Sequence, residues 1–101
     1  MKRRYTLAPE AARDLVEIWR YLRRESGQET AGRVESVIRS KFAYLAEFPR
    51  AGHWRRDLTS ADVRFFAVYS YLIVYRPESK PLEIVSILHG SRDVAAVLCG
   101  R

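Results

Sequence analysis

Apolar residues are most densely clustered in the second half of the chain, at 63–93, where β-branched and aromatic residues are interrupted only at turn-forming positions. Tyr69 and Ser70 separate two of these runs, and the sequence PESKP at 77–81 carries the strongest turn signals of the chain. The pattern predicts strands at 63–68, 71–76 and 82–89. Connections this short join antiparallel strands, because a parallel crossover needs about a dozen residues or more. We therefore expect an antiparallel meander.

The middle strand of this meander, YLIVYR, is apolar at nearly every position. A strand with one solvated face alternates between apolar and polar residues, so an almost unbroken apolar run indicates burial on both faces of the sheet. We expect other parts of the chain, or a partner, to cover both sides of this strand.

An amphipathic helix is predicted from Pro9 to about Ser26 and Gly27. Proline is tolerated in the first turn of a helix, and acidic residues near that end suit the helix dipole. Apolar residues recur along it at i, i+4, i+7 and i+11. These residues are Ala11, Leu15, Ile18 and Leu22.

A second amphipathic helix is predicted at 29–47. Its apolar stripe consists of Ala31, Val34, Ile38, Phe42 and Leu45. The break at 26–28 is short, so the two helices should form an antiparallel hairpin. Gly32 lies inside the second helix, where it costs about 1 kcal/mol relative to alanine. That cost is tolerable where two helices pack closely.

Two shorter elements complete the order. The sequence RRYTL at 3–7 is predicted to pair with the meander as a fourth strand, and Ser91 is a candidate cap for a short C-terminal helix at 92–98. The predicted fold class is α+β with the order β-α-α-β-β-β-α, in a single domain over residues 1–101.

Composition narrows the class of protein. With 48% apolar and 30% charged residues the chain is typical of a globular domain, and no stretch approaches the roughly 18 apolar residues that a membrane helix requires. The basic N-terminus has no apolar run behind it, so we expect a cytoplasmic protein without a secretory signal. The single cysteine, Cys99, cannot form an internal disulfide and fits reducing surroundings.

The net charge of +6 predicts acidic partners, nucleic acid or both. Fifteen of the 18 basic residues are arginine, whose guanidinium suits bidentate contact with carboxylate or phosphate. Several lie in the segment 50–62, RAGHWRRDLTSAD, which has no periodicity and is predicted to be a loop leading into the sheet. Trp54 in this loop either stacks on a nucleobase or folds against the core.

Four patterns, in this order and spacing, resemble the bacterial ParE/RelE toxin superfamily: YTLAPEAARDLVEIWRYL, FPRAGHWRRDL, VRFFAVYSYLIVYR and IVSILHGSRD. The first helix resembles the ParE branch in five residues, Ala11, Asp14, Leu15, Ile18 and Tyr21. The passage out of the second helix resembles the superfamily in Leu45, Pro49 and Gly52. The sheet region resembles it in Arg64, Tyr75, His89 and Arg92.

The resemblance implies a helical hairpin packed on an antiparallel sheet, and a cognate antitoxin that binds and neutralises the toxin. ParE-type members poison DNA gyrase, whereas RelE-type members cut messenger RNA on the ribosome. The resemblance therefore leaves two functions open for this chain, and its residues must separate them.

Cleavage of RNA by its own 2′-hydroxyl needs a base, a proton donor and positive charge on the phosphate. Under a RelE-type interpretation, an mRNA endoribonuclease, the candidate catalytic residues are His53, Arg64, His89 and Arg92. The sequence departs from that branch because no tyrosine follows Tyr75 and the tail VAAVLCGR offers no side-chain acid or base. Two histidines and one cysteine do not suggest a metal site, and no cofactor is expected. The acidic residues Glu10, Asp14 and Glu17 are interpreted as charge balance on the solvated side of the first helix.

The sequence thus favours a ParE-type toxin that acts by binding rather than by its own chemistry, with a ribosome-dependent nuclease as the alternative. A superfamily member that has lost toxicity and only forms complexes is a third hypothesis. The predicted target-binding residues are Arg55, Arg56, Arg64, His89 and Arg92.

The predicted antitoxin-binding residues are Leu15, Trp19, Leu22, Val34 and Ile38, on the helical hairpin. The antitoxin is expected to be ParD-like and acidic, an amphipathic helix laid in a groove, with strand addition as a further possibility. Operator DNA is expected as a partner only indirectly, through the antitoxin, and no membrane is expected.

Overall fold

The computed structural model describes residues 4–89 of the chain. The elements in order are β1 (Tyr5–Leu7), α1 (Pro9–Ser26), α2 (Gln28–Glu47), β2 (Arg64–Val68), β3 (Tyr71–Arg76) and β4 (Leu82–His89). The predicted α+β class is confirmed, with two helices and a four-stranded sheet in the order β1-β4-β3-β2. The helix predicted at 92–98 and Cys99 lie outside the described residues.

The two helices are separated by a single residue, Gly27, where the sequence predicted a break of about three. Gly27 has φ 94°, a left-handed conformation that side chains other than glycine rarely adopt. Its N–H donates to the carbonyl of Arg23 at 3.1 Å, and its own carbonyl accepts from Ala31 at 3.1 Å. One glycine therefore ends α1 and begins α2, and the chain reverses with few backbone groups left unpaired.

The sheet contains the predicted meander and one parallel strand. β2 pairs antiparallel with β3, and β3 pairs antiparallel with β4. β1 joins as the fourth strand by pairing in parallel with β4, in the register Tyr5↔Leu82 to Leu7↔Ile84. In the sheet, β4 therefore lies between β1 and β3. The helices α1 and α2 connect β1 to β2, which lies at the opposite edge of the sheet.

β3 is buried on both faces, as its sequence predicted: Ile73, Val74 and Tyr75 are each 0% exposed. The two faces belong to different clusters. The helix-facing cluster is built mainly from Leu15, Ile38, Phe42, Leu45, Ile73, Tyr75 and Ile84. The opposite cluster is built from Val63, Phe65, Val74 and Leu88, with Leu58 of the loop packed against it. The loop between α2 and β2 therefore helps to cover the face that the helices leave open.

Close helix packing is not the reason for Gly32 in the described structure. A Cβ atom built on Gly32 would meet nothing within 4 Å. The glycine therefore carries its usual entropic cost in α2 without a steric reason in the described structure.

Neither helix of the described chain is both long enough and apolar enough to cross a membrane.

Candidate functional site

The loop between α2 and β2 is fixed to the outer edge of the sheet. His53 and Phe65 exchange both backbone hydrogen bonds, at 2.9 Å and 2.8 Å, and form an isolated antiparallel bridge. β2 is the last strand of the sheet on this side, so the bridge pairs backbone groups that an edge strand would otherwise expose. The bridge also fixes the start of the arginine-rich segment next to β2.

The Tyr75 hydroxyl forms a second anchor for this loop. It donates to the carbonyl of Pro49 at 2.7 Å and accepts from the N–H of Gly52 at 2.8 Å. Gly52 is required here by space, because a Cβ atom on it would press on the Tyr75 hydroxyl and lie 2.9 Å from the Phe65 carbonyl oxygen. The hydroxyl group of the buried Tyr75 therefore fixes the position of the loop backbone just after α2.

Arg64 links the strand to the same part of the loop. Its Nη1 donates to the carbonyl of Gly52 at 2.8 Å and to that of Arg50 at 3.2 Å. Its Nε is buried and has no hydrogen-bond partner among residues 4–89. The guanidinium is therefore a positioning group as well as a surface charge, since it crosslinks β2 to the loop.

Trp54 lies beneath two guanidinium groups and is not folded into the core. The Cζ atom of Arg64 lies 4.5 Å from the centroid of the Trp54 ring, and that of Arg56 lies 4.6 Å from it. The indole is 38% exposed. We call Trp54, Arg55, Arg56 and Arg64 the Trp54 platform, because stacked guanidinium and indole groups form one cationic and aromatic surface.

Carboxylates and carbonyls hold the outer arginines of the platform. Arg55 donates two hydrogen bonds to Asp57, at 3.1 Å and 2.8 Å, and this contact lowers the pKa of the Asp57 carboxyl below its ordinary value. Arg56 donates to the carbonyl of Ser60 at 3.0 Å and lies 3.7 Å from the Asp62 carboxylate. All these groups are exposed, so solvent and salt screen the ion pairs, which leaves the arginines available to a competing anion.

The structure brings together three of the five predicted target-binding residues, Arg55, Arg56 and Arg64. His89 lies at the other end of the sheet, where its ring packs edge-on against Tyr71 at 5.4 Å. The strand pairings place His53 and His89 roughly 17 Å apart, from the usual strand spacing and rise per residue. Arg92, a member of both predicted sets, lies outside the described residues.

The four residues of the nuclease alternative are therefore not assembled into one site by the described structure. His53 and Arg64 lie at the edge strand and His89 lies far from both. Within residues 4–89, no group of three histidine, cysteine, aspartate or glutamate side chains is arranged to hold a metal ion.

The predicted antitoxin-binding residues divide into two groups. Leu15 is 2% exposed and Ile38 is 0% exposed, so both belong to the chain's own core and offer no surface to a partner in this conformation. Trp19, Leu22 and Val34 are half-buried. Val16 and Tyr21, which were not among the predicted antitoxin-binding residues, are among the large apolar residues that α1 exposes.

Asp14 is not on the solvated side of α1, and its interpretation as charge balance is wrong. Its Oδ2 accepts a hydrogen bond from the Ser86 hydroxyl and another from the Ile87 N–H, both at 3.0 Å. β1 pairs with β4 only as far as Ile84, so Asp14 supplies the acceptor that a neighbouring strand would have supplied. A β-bulge opposite Val74 and Tyr75 shifts the alternation of β4 just before this point.

Burial should delay the ionisation of two of the six tyrosines. Desolvation raises the pKa of Tyr71 and of Tyr75 above the ordinary value. Because the folded state holds these phenols protonated, their contribution to stability is complete below about pH 10 and is lost as the pH rises through the raised values. We expect an ultraviolet phenolate titration of the folded protein to show a late phase, which the double variant Tyr71→Phe, Tyr75→Phe lacks. A single transition near pH 10 for all six would contradict this.

Comparison with known proteins agrees with the fold and the motifs. Residues 5–94 match the family described as the ParE toxin of type II toxin–antitoxin systems, parDE. The chain is 33% identical over 85 residues to Toxin ParE3 of Caulobacter vibrioides, which covers 84% of each chain. Its fold is similar to a chain of the chromosomal ParDE toxin–antitoxin system from P. aeruginosa, with a TM-score of 0.71, 20% identity and coverage of 84% and 92%. The chain therefore belongs to the ParE toxin family of type II toxin–antitoxin systems.

Proposed function

We propose that this ParE-family toxin arrests growth by binding DNA gyrase and that a cognate antitoxin neutralises it. The observation that carries the proposal is the Trp54 platform, in which two guanidinium groups stack on one half-exposed indole. Arginine and tryptophan are the residue types enriched in the centres of protein interfaces. A surface of this kind suits recognition of a large anionic or mixed target.

The chemistry of the platform favours binding over catalysis. Arginine stays protonated at any physiological pH, so a guanidinium can stabilise an anion but cannot serve as a base in neutral solution. The nearest imidazole, that of His53, belongs to the exposed bridge residue, and His89 lies at the far end of the sheet. These positions support a toxin that holds its target rather than one that cuts RNA.

The platform is also held before any partner arrives. Tyr75, Gly52 and Arg64 form a continuous set of hydrogen bonds from the core to the loop backbone. A surface whose backbone is fixed in advance loses less conformational entropy on binding. This supports a stable complex with the target.

The antitoxin surface is proposed on α1 and α2, at Trp19, Leu22 and Val34 with the exposed Val16 beside them. An amphipathic segment laid across this face would cover the apolar side chains. The net charge of +6 favours an acidic partner by speeding association. Leu15 and Ile38 support this surface from below instead of contacting the partner.

The proposal predicts that reversing the platform charges abolishes gyrase inhibition. Purified toxin is added to gyrase, relaxed plasmid and ATP, and supercoiling and cleaved plasmid are measured with and without antitoxin. We expect the double variant Arg55→Glu, Arg56→Glu to need at least about tenfold more protein for half inhibition, a loss of about 1.4 kcal/mol in binding. Arg64 is left unchanged because it also fixes the loop.

The matched control is Arg20→Glu, Arg24→Glu, which changes the net charge equally on the exposed side of α1. It should inhibit gyrase within about twofold of the wild type. Equal losses in both variants would mean that net charge, not the platform, drives inhibition. A folded, growth-arresting toxin without effect on gyrase, together with cuts in messenger RNA on ribosomes, would favour the nuclease alternative.

A further inference from the structure

Arg64 gives the Trp54 platform a positive charge that no carboxylate of residues 4–89 offsets. Its Nη1 donates only to backbone carbonyls, those of Gly52 at 2.8 Å and Arg50 at 3.2 Å. A carbonyl accepts a hydrogen bond without neutralising the charge of the donor. The platform therefore attracts an anion from outside the chain.

The contact between Arg55 and Asp57 shows the kind of anion that the platform accommodates. The Nε and Nη2 atoms of Arg55 donate to the two carboxylate oxygens at 3.1 Å and 2.8 Å, a bidentate contact. A phosphodiester also presents two charged oxygens, so the same two donors suit a phosphate. The two side chains are 44% and 63% exposed, and an external phosphate can replace Asp57 without opening the core.

Charge, rather than apolar surface, dominates the platform. Three of its four residues are arginines, and the neighbouring Leu58 and Val63 pack against the sheet. The centres of protein–protein interfaces are depleted in charged residues, whereas protein–DNA interfaces are more polar and much more positive. Duplex DNA carries one negative charge per about 1.7 Å of its axis, so it presents several phosphates to a small patch. The composition of the platform favours DNA over an acidic protein.

We propose that the Trp54 platform binds the phosphate backbone of duplex DNA, and that in the toxin–gyrase complex this DNA is the segment that gyrase holds. The inference rests on the proposed function, because it names what the platform contacts in that complex. In the free toxin, Asp57 and Asp62 lie beside the arginines that phosphates would contact. These carboxylates compete with DNA, so removing one of them should strengthen binding.

The first test measures binding of purified toxin to a short fluorescein-labelled DNA duplex by fluorescence anisotropy. In the double variant Arg55→Glu, Arg56→Glu, we expect the dissociation constant to rise at least about tenfold. The slope of log affinity against log salt should fall by about two, one for each arginine lost.

The matched control is Arg20→Glu, Arg24→Glu, which makes the same change of net charge on exposed positions of α1. Its dissociation constant for the duplex should rise by less than about threefold. Equal losses in the two double variants overturn the inference, because net charge alone would then account for binding to DNA. Absence of DNA binding by the wild-type toxin also overturns it.

A second pair of variants tests the competition by carboxylates. Asp57→Asn frees Arg55, whereas Glu29→Gln frees Arg33, which lies 3.6 Å from Glu29. Glu29 is in the first turn of α2, and the loop follows the other end of this 20-residue helix, about 30 Å away. Salt screens charges over about 8 Å, so the control should stay within about twofold of the wild type. We expect Asp57→Asn to bind DNA at least about fivefold more tightly, and an unchanged affinity overturns the inference.

Competition with polyglutamate separates phosphate from carboxylate as the preferred anion. Unlabelled duplex should displace the labelled DNA at a much lower concentration of negative charge than polyglutamate does. Equal displacement overturns the inference in favour of an acidic protein as the partner of the platform.

The supercoiling assay separates the inference from the proposed function. A toxin that inhibits gyrase but does not bind DNA through the platform overturns the inference and leaves the proposed function intact. A toxin that binds DNA through the platform but leaves gyrase active supports the DNA site and contradicts the proposed function.

Discussion

Replacing Gly52 by alanine is expected to lower the free energy of unfolding by about 3 kcal/mol. The added methyl group would press on the Tyr75 hydroxyl and approach its Cε1 to 2.8 Å and the Phe65 carbonyl oxygen to 2.9 Å. Tyr75 is fully buried and Phe65 is held in a backbone bridge, so neither can move without breaking hydrogen bonds. Chemical denaturation monitored by circular dichroism would measure the loss.

The matched substitution is Gly32→Ala, because nothing lies within 4 Å of a Cβ atom at Gly32. Alanine is about 1 kcal/mol better than glycine in a helix interior, so this variant should be more stable than the wild type. The two alanines should thus change stability in opposite directions. A Gly52→Ala variant as stable as the wild type would show that Tyr75 and the loop shift to accommodate the methyl group. The contact between Tyr75 and Gly52 would then not hold the loop rigidly.

Asp14→Ala is expected to cost about 2 to 3 kcal/mol of stability, because it removes the carboxylate oxygen that accepts hydrogen bonds from two donors of β4. Ser86 is 0% exposed, and the Ile87 N–H lies beyond the end of the β1 pairing. Asp14→Asn retains an acceptor oxygen and should recover most of the loss. The comparison of the two variants by urea denaturation separates the lost hydrogen bonds from the lost charge.

Glu25→Ala provides the control for removing an acidic residue from α1, since Glu25 is exposed in its last turn. Its stability should stay within about 0.5 kcal/mol of the wild type, as is usual for surface substitutions. If Asp14→Ala behaves like Glu25→Ala, water replaces the carboxylate at β4 and the contact has no structural role.

Local patterns were sufficient to predict most of the elements. β3 and β4 have the predicted bounds because apolar runs and the turn residues at 77–81 both act over a few residues. The α1 bounds also match, since Pro9 and Gly27 have strong positional preferences in helices. The double burial of β3 followed from composition alone, because few polar residues occur in it.

Contacts between distant residues were not predictable from the pattern. Asp14 lies next to Leu15, at the border of the apolar stripe of α1. Whether a residue in such a position faces solvent or the sheet depends on the rotation of the helix about its axis, and Asp14 faces the sheet. The Tyr75 hydroxyl meets Gly52 and Pro49 across a loop that has no periodicity. A tyrosine within a buried strand is the one signal that could have indicated a polar contact there.

The candidate site was predicted in part. The arginines of the loop were selected for their charge, and the stacking of Arg56 and Arg64 on Trp54 brings that charge together. The role of Arg64 in fixing the loop backbone was missed, because charge indicates a surface and does not reveal a carbonyl nearby. Leu15 and Ile38 were selected by periodicity, which does not distinguish core from interface on the same stripe.

The parallel pairing of β1 with β4 has a consequence for how the toxin is made. Asp14 and Ile87, which meet in the finished sheet, are separated by 73 residues. At the usual rates of protein synthesis, β1 and α1 exist for about 4 to 15 s before β4 has been added. The helical hairpin can form during that interval, but its apolar face has no complete sheet to cover. A nascent chain therefore exposes this face before the sheet that covers it is complete.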